Sequence, residues 1–148
     1  MGNGALVSQG WEIRGIRSSQ KFFAGLADLL PLPAVFYFEG QLTPRVRQFL
    51  APHRVEPTFE IQVGTIWPKP FIMHVNATPE FAMALGKIAS SHARTEICWH
   101  FHAYREAQGL VQWYDAFALP LLVSSLIPEE KIVNFSRRLK AEFSRIPE

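Results

Sequence analysis

Apolar side chains recur at the period of an α-helix in several segments, of which the first is residues 18–30, SSQKFFAGLADLL. Its apolar positions fall on one helical face, a serine can cap its start, and Pro31 and Pro33 end it. Two further helices, TPRVRQFL and TPEFAMALGKIASSHA, are predicted from Thr43 and Thr78, since threonine is a good N-cap and proline fits the first helical position.

A fourth helix is predicted from Pro128 to Ile146. Glu129 and Glu130 would lie in its first turn, where the helix dipole favours negative charge. Its apolar stripe consists of Ile132, Phe135, Leu139, Phe143 and Ile146.

Other segments show the composition and alternation of strands. Residues 34–38, AVFYF, predict a buried strand that ends at Gly40. Residues 58–66 and 71–76 alternate apolar and polar side chains, so they predict a hairpin around the turn WPKP. Residues 96–105 and 110–117 predict a second hairpin around EAQG.

Because hairpins pair antiparallel strands, the element order α-β-(short α)-ββ-α-ββ-α predicts an α+β fold. We expect a two-layer sandwich in which a mostly antiparallel, twisted sheet of about five strands carries helices on one face. WEIRGIR, from Trp11, predicts a short edge strand, and the glycines before it predict that residues 1–17 are loosely ordered. No linker divides residues 1–148, so we expect a single domain.

Composition narrows the class of protein. The net charge is +2 and the basic residues are spread along the chain, which does not favour nucleic-acid binding. Cys98 is the one cysteine, as expected in a reducing compartment. The longest apolar stretch, residues 116–127, is too short to span a bilayer, and no secretory signal is visible at the start. We therefore expect a soluble, cytoplasmic protein.

The candidate chemistry lies in EICWHFHAYREAQGLVQWYD, residues 96–115. If EAQG is a four-residue loop, His100 faces Asp115 across the hairpin. A change of one residue in the loop would instead set His100 against Tyr114.

These residues are compatible with three interpretations. Cys98, His100 and Asp115 could form a nucleophilic triad, but no oxyanion hole and no cationic neighbour other than the histidines accompanies the cysteine. His100 and His102, with His74 or Asp115, could bind a metal, although two ligands do not make a site. The favoured interpretation is a buried structural pair between His100 and Asp115, with no catalytic residue, no metal and no cofactor.

The second predicted hairpin is apolar on both faces, whereas the helices can cover only one face of the sheet. We therefore expect a partner to cover the other face, unless the N-terminal segment does so. The candidate partner contacts are Trp67, Trp99, Phe101 and Tyr114. A homodimer is predicted, with the helix from Pro79 to His92 and the strand after it as its interface.

From about Ser19 to Ile146, the order of elements resembles that of the type III secretion (Tir-type) chaperones and of the related YbjN-like fold. The resemblance is strongest in the last third, which runs strand, EAQG turn, strand, LPLLVSS and a terminal amphipathic helix. It implies a bacterial, chaperone-like homodimer without catalysis that binds an extended segment of a client protein. Two alternatives remain: a toxin-neutralising immunity protein, and a metal- or small-molecule-using enzyme around His100, His102 and Asp115.

Overall fold

Residues 5–147 are described by a computed structural model of the chain. The helices are α1 (Ser19–Leu29), α2 (Pro44–Leu50), α3 (Pro79–Ala89) and α4 (Glu129–Leu139). The strands are β1 (Gly10–Arg14), β2 (Ala34–Gly40), β3 (Phe71–Ala77), β4 (His100–Arg105), β5 (Gln108–Trp113), β6 (Leu121–Ser124) and β7 (Glu142–Arg145). Among the described residues, single-turn 3-10 helices follow α2 and precede β4.

The capping residues that the sequence offers are used. Ser18 Oγ accepts a hydrogen bond from the N–H of Lys21, and the hydroxyl groups of Thr43 and Thr78 cap α2 and α3 in the same way. These bonds satisfy N–H groups that would otherwise lack a partner in the first helical turn. The predictions of α1, α2 and α3 are confirmed to within a few residues.

The strands form one seven-stranded sheet in the order β3-β2-β4-β5-β6-β1-β7, with every neighbouring pair antiparallel. Side chains from all four helices join one hydrophobic core against one face of this sheet. Phe22 of α1 lies in that core, with its ring 4.7 Å from the Trp113 ring and 5.6 Å from the Phe101 ring. The α+β class is thus confirmed, whereas the expected number of strands was too low.

Residues 58–66 do not form the predicted strand. The neighbour of β3 is β2, which pairs with it from Ala34–Ala77 to Gly40–Phe71. Residues 58–66 instead lie on the face of the sheet opposite the helices, where Phe59 and Ile61 pack around Tyr104. The alternation at Phe59 and Ile61 reflects a half-buried side of this segment and not a strand ladder.

The two ends of the chain also differ from prediction. The last helix ends at Leu139, because Lys140 adopts a left-handed conformation (φ 55°), and residues 142–145 then form β7 against β1. As a result β1 lies between β6 and β7 and is not an edge strand, with Trp11 and Ile13 buried. Loose order was expected for residues 1–17. This expectation is wrong for Gly10–Arg14, which form β1, and residues 1–4 lie outside the described part of the chain.

Candidate functional site

Polar side chains gather on the face of the sheet that the helices leave uncovered. Tyr37 and Glu39 on β2 and His100 and His102 on β4 are all nearly or fully buried there. The cover comes from the chain itself. Leu6 and Val7 donate backbone hydrogen bonds to Gln112 Oε1, and residues 58–66 lie beside them. The alternative cover by the N-terminal segment is thus what the structure shows, together with a second segment that the sequence did not suggest.

Glu39 is the hub of this polar cluster. Its side chain is fully buried, and Oε1 accepts a hydrogen bond of 2.6 Å from the Tyr37 hydroxyl group. The backbone N–H of Gly64 donates to both carboxylate oxygens, at 3.0 and 3.2 Å. Burial, and then the bond to Glu39, raise the pKa of Tyr37, so its phenol stays protonated and remains a donor. The carboxylate therefore fastens residues 58–66 to the sheet.

Both histidines are oriented by backbone N–H groups. Nδ1 of His102 accepts from the N–H of Trp113 at 3.1 Å, and Nδ1 of His100 accepts from the N–H of Asp115 at 3.0 Å. In the neutral ring the proton must then reside on Nε2. For His100 this atom lies 3.9 Å from Glu39 Oε2, whereas His102 Nε2 is buried without a partner among residues 5–147.

This tautomer bears on the metal-site and nucleophilic-triad interpretations. A protonated Nε2 has no lone pair for a metal ion, and the lone pair on Nδ1 is already engaged. Burial, and then the proximity of His100, lower the pKa of His102 to about 3, so its ring is neutral near pH 7. His74, the third candidate ligand, is hydrogen-bonded to the Tyr104 hydroxyl group at 2.8 Å. Within the described chain, no three His, Cys, Asp or Glu side chains converge as metal ligands.

The register of the β4–β5 hairpin determines whether His100 and Asp115 can pair. Arg105 pairs with Gln108 across a two-residue turn, and an irregularity between Ala103 and Tyr104 sets His102 opposite Gln112. The favoured register was therefore wrong, and His100 packs beside Tyr114, with ring centroids 5.4 Å apart. The Asp115 side chain is exposed, so the predicted buried pair between its carboxylate and His100 does not form.

We predict that Asp115→Ala lowers the free energy of unfolding by no more than about 1 kcal/mol. The bond to His100 uses the backbone N–H and survives the change, and the cost arises because φ of 51° suits alanine less well than aspartate. Asp115→Asn should match the wild type. Chemical denaturation of Asp115→Ala, His100→Ala and the double variant measures their coupling, which we expect to be near zero. A coupling above about 1 kcal/mol would show that the carboxylate does bind the imidazole.

Cys98 lies outside this cluster. It belongs to the core on the helix side of the sheet, and burial raises the pKa of its thiol to about 12. The thiol therefore stays protonated at neutral pH and has little nucleophilic character.

The four candidate partner contacts occupy different environments. Trp67 is 84% exposed. Phe101 is fully buried in the core and cannot reach a partner, so this prediction was wrong. Trp99 and Tyr114 are half-buried, and the Tyr114 hydroxyl group donates to the carbonyl of Gln62 at 2.6 Å.

Trp67 belongs to a group of exposed apolar side chains that we call the apolar tip: Val63, Ile66, Trp67 and Phe71. Ile66 is 97% exposed, more than any other large apolar side chain in the described part of the chain. Sequence reasoning missed it because the alternation of residues 58–66 suggested a strand. The only indication in the sequence is the apolar pair Ile66 and Trp67 directly before Pro68.

The segment that leads into the apolar tip is firmly held. Gly64 is fixed by Glu39 and Gln62 by Tyr114, so both anchors lie within four residues of Ile66. Gly64 has no room for a side chain, because a Cβ atom there would lie 2.8 Å from both His100 Nε2 and Tyr114 Cδ1. The chemistry of the cluster is thus that of a clamp: buried donors and acceptors hold the segment that presents the tip.

Comparison of the chain with protein-family models, with curated proteins and with solved structures finds no match. None of the helices in residues 5–147 combines the length and the apolar character needed to cross a bilayer.

Proposed function

We propose that this chain is a non-catalytic protein-binding module that holds an extended, acidic segment of another protein beside the apolar tip. The observation that carries the proposal is the exposure of Ile66 and Trp67, 97% and 84%, on a segment anchored to the sheet through Glu39 and Tyr114. Tryptophan is enriched among residues that dominate binding energy, and a fixed anchor loses little conformational entropy when it binds.

The edge of the sheet next to the tip suits an extended partner. Strand β3 is the first strand of the sheet, and Val55 N–H bonds to the His74 carbonyl on its outer side. By the alternation of an antiparallel strand, the backbone groups of Ile72 point outward as well. No described residue pairs with them, so a partner strand can add there.

The segments around this edge carry more basic than acidic side chains, which favours an acidic partner. Arg45, Arg47, Arg54 and Lys69 lie on the segments that flank the tip and β3. The Arg47 guanidinium carbon lies 4.2 Å from the centre of the Phe71 ring, which places a cation at the tip itself. None of the four forms an ion pair with another described residue, so their charges are available to a ligand.

The chaperone-type resemblance agrees with a bound extended segment, and a toxin-neutralising role would be another form of protein binding. The homodimer stays a prediction, but its original reason no longer holds, because residues 5–7 and 58–66 cover the second face of the sheet. An enzyme around His100, His102 and Asp115 has less support, since the ring nitrogens are engaged or protonated and Asp115 points to solvent.

The proposal is tested by selecting peptides from a random display library against the full chain. We expect the selected peptides to be acidic, with apolar residues at alternate positions. Trp67→Ala should weaken their binding roughly thirtyfold, as for a contact worth about 2 kcal/mol, and Lys69→Glu should weaken it as well. Leu126→Ala is the matched control, because Leu126 is 55% exposed in the turn after β6, four strands away from β3.

Three results would overturn the proposal. They are a library that yields no binder, peptides without acidic residues, and peptides whose affinity is unchanged by Trp67→Ala.

A further inference from the structure

A cleft lies on the helix side of the sheet, away from the apolar tip. It has a volume of about 810 Å³ and is bounded by the connection between β1 and α1, by the turn after α3 and by residues 117–120. This volume is in the range of small-molecule sites.

The floor of this cleft is apolar. Ile13, Ile16 and Trp113 line it and are nearly fully buried, and Phe117 and Leu119 complete the wall. Leu119 is 53% exposed, although the Trp113 indole N–H donates to its carbonyl at 2.7 Å and fixes its backbone. An apolar ligand body would gain by covering the accessible part of this wall, which is Leu119 and the half-buried Phe117.

The rim of the cleft is basic. Arg14, Arg17, His92 and Arg94 line it, and no acidic side chain does. Arg14 is already paired with Glu12 at 3.1 Å, whereas Arg17 and Arg94 form no ion pair with a described residue. Arg94 is nevertheless held in place, because it donates to the Arg17 carbonyl at 3.4 Å and its guanidinium carbon lies 5.5 Å from the Phe117 ring centre.

We propose that this cleft is a binding site for a small amphipathic carboxylate, an apolar chain or ring that bears one carboxylate group. The body would lie on Phe117 and Leu119, above the buried Ile16 and Trp113, and the carboxylate would accept hydrogen bonds from Arg17 and Arg94. A carboxylate fits better than a phosphate, because the apolar floor disfavours the more strongly charged and hydrated group. The site is independent of the proposed protein-binding surface.

The test uses octanoate as a probe on the isotope-labelled full chain, followed by NMR. Octan-1-ol has the same body without the charge, and acetate has the charge without the body. We expect octanoate to shift the Trp113 indole N–H and the amides of residues 14–17 and 92–94 in a saturable way. Octan-1-ol should bind at least roughly tenfold more weakly because it forms no charge-assisted hydrogen bond, and acetate should bind at least roughly tenfold more weakly because it lacks the apolar body.

Arginine variants show which side chain binds the carboxylate of octanoate. Arg17→Gln should weaken octanoate binding roughly tenfold, and Arg105→Gln, a change of an exposed arginine at the turn between β4 and β5, should leave it unchanged. Trp67→Ala should also leave it unchanged, which separates this site from the apolar tip.

The proposal is overturned if octan-1-ol binds as tightly as octanoate, if Arg17→Gln and Arg94→Gln both retain the wild-type affinity, or if the shifts fall on the apolar tip. Failure of the peptide selection, by contrast, would not contradict the proposed carboxylate site in this cleft.

Discussion

Glu39→Ala is expected to lower the free energy of unfolding by roughly 2–4 kcal/mol. The change leaves the buried Tyr37 hydroxyl group and the Gly64 N–H without their acceptor. It also removes the clamp on residues 58–66, so the backbone amide of Gly64 should lose its protection from hydrogen exchange. Chemical denaturation gives the free energy, and hydrogen exchange followed by mass spectrometry locates the loosened segment.

Two variants separate the clamp from a general loss of stability. Tyr37→Phe removes one donor and keeps the carboxylate bound to Gly64, so we expect a loss of about 1 kcal/mol with Gly64 still protected. Glu60→Ala removes an exposed carboxylate from the same segment and should change stability by less than about 0.5 kcal/mol. Unchanged exchange at Gly64 in Glu39→Ala would mean that Glu39 does not hold the segment.

The clamp also makes the proposed function depend on a residue far from the ligand. If Glu39→Ala frees residues 58–66, the tip must be ordered again on binding, and peptide affinity should fall although Trp67 is intact. The loss should appear as slower association or weaker affinity at temperatures where the protein is still folded. Equal affinity in wild type and Glu39→Ala would show that the tip binds without a preformed backbone.

Features fixed by local chemistry were predictable from the sequence. The caps at Ser18, Thr43 and Thr78 placed three helix starts, and the apolar runs placed β2, β3, β4 and β5. Strand β7 was not predictable in this way. Phe143 and Ile146 continue the spacing of α4, and what ends the helix is a left-handed Lys140 together with pairing to β1, whose residues lie about 130 positions earlier.

Only part of the site was predicted from the sequence, because the register of its strands could not be predicted. His100 and His102 were correctly singled out, but the irregularity at Ala103 and Tyr104 that sets their partners leaves no mark in the sequence. Glu39 was missed because a single glutamate at a strand end suggests solvent. Its signal was the strand AVFYFEG, which is apolar on both faces and sets Tyr37 and Glu39 on the same side.

Acid is expected to destabilise the protein from about pH 6.5 downward through His102. Its pKa in the folded state is about 3, below the usual value of about 6.5 in an unfolded chain, so the unfolded state binds the extra proton first. The stabilisation is fully present above pH 6.5 and is lost progressively as the pH falls toward 3. The slope approaches about 1.4 kcal/mol per pH unit once the unfolded His102 is protonated, so the loss between pH 6.5 and 5 is about 1.6 kcal/mol. Burial lowers the pKa of His74 and acts in the same direction.

The contribution of His102 is isolated by His102→Asn, because the asparagine oxygen can take the place of Nδ1 as acceptor for the Trp113 N–H. This variant should be less stable at pH 8. Its free energy of unfolding should nevertheless fall less steeply between pH 6.5 and 5, because close to one proton fewer is taken up on unfolding. His53→Asn, which removes an exposed histidine, should keep the wild-type slope. Denaturant unfolding at several pH values gives the slopes directly.

Equal slopes in wild type and His102→Asn would mean that the His102 ring is protonated as readily in the folded protein as in the unfolded chain. The backbone bond at Nδ1 and the closed surroundings of Nε2 would then not describe the protein in solution.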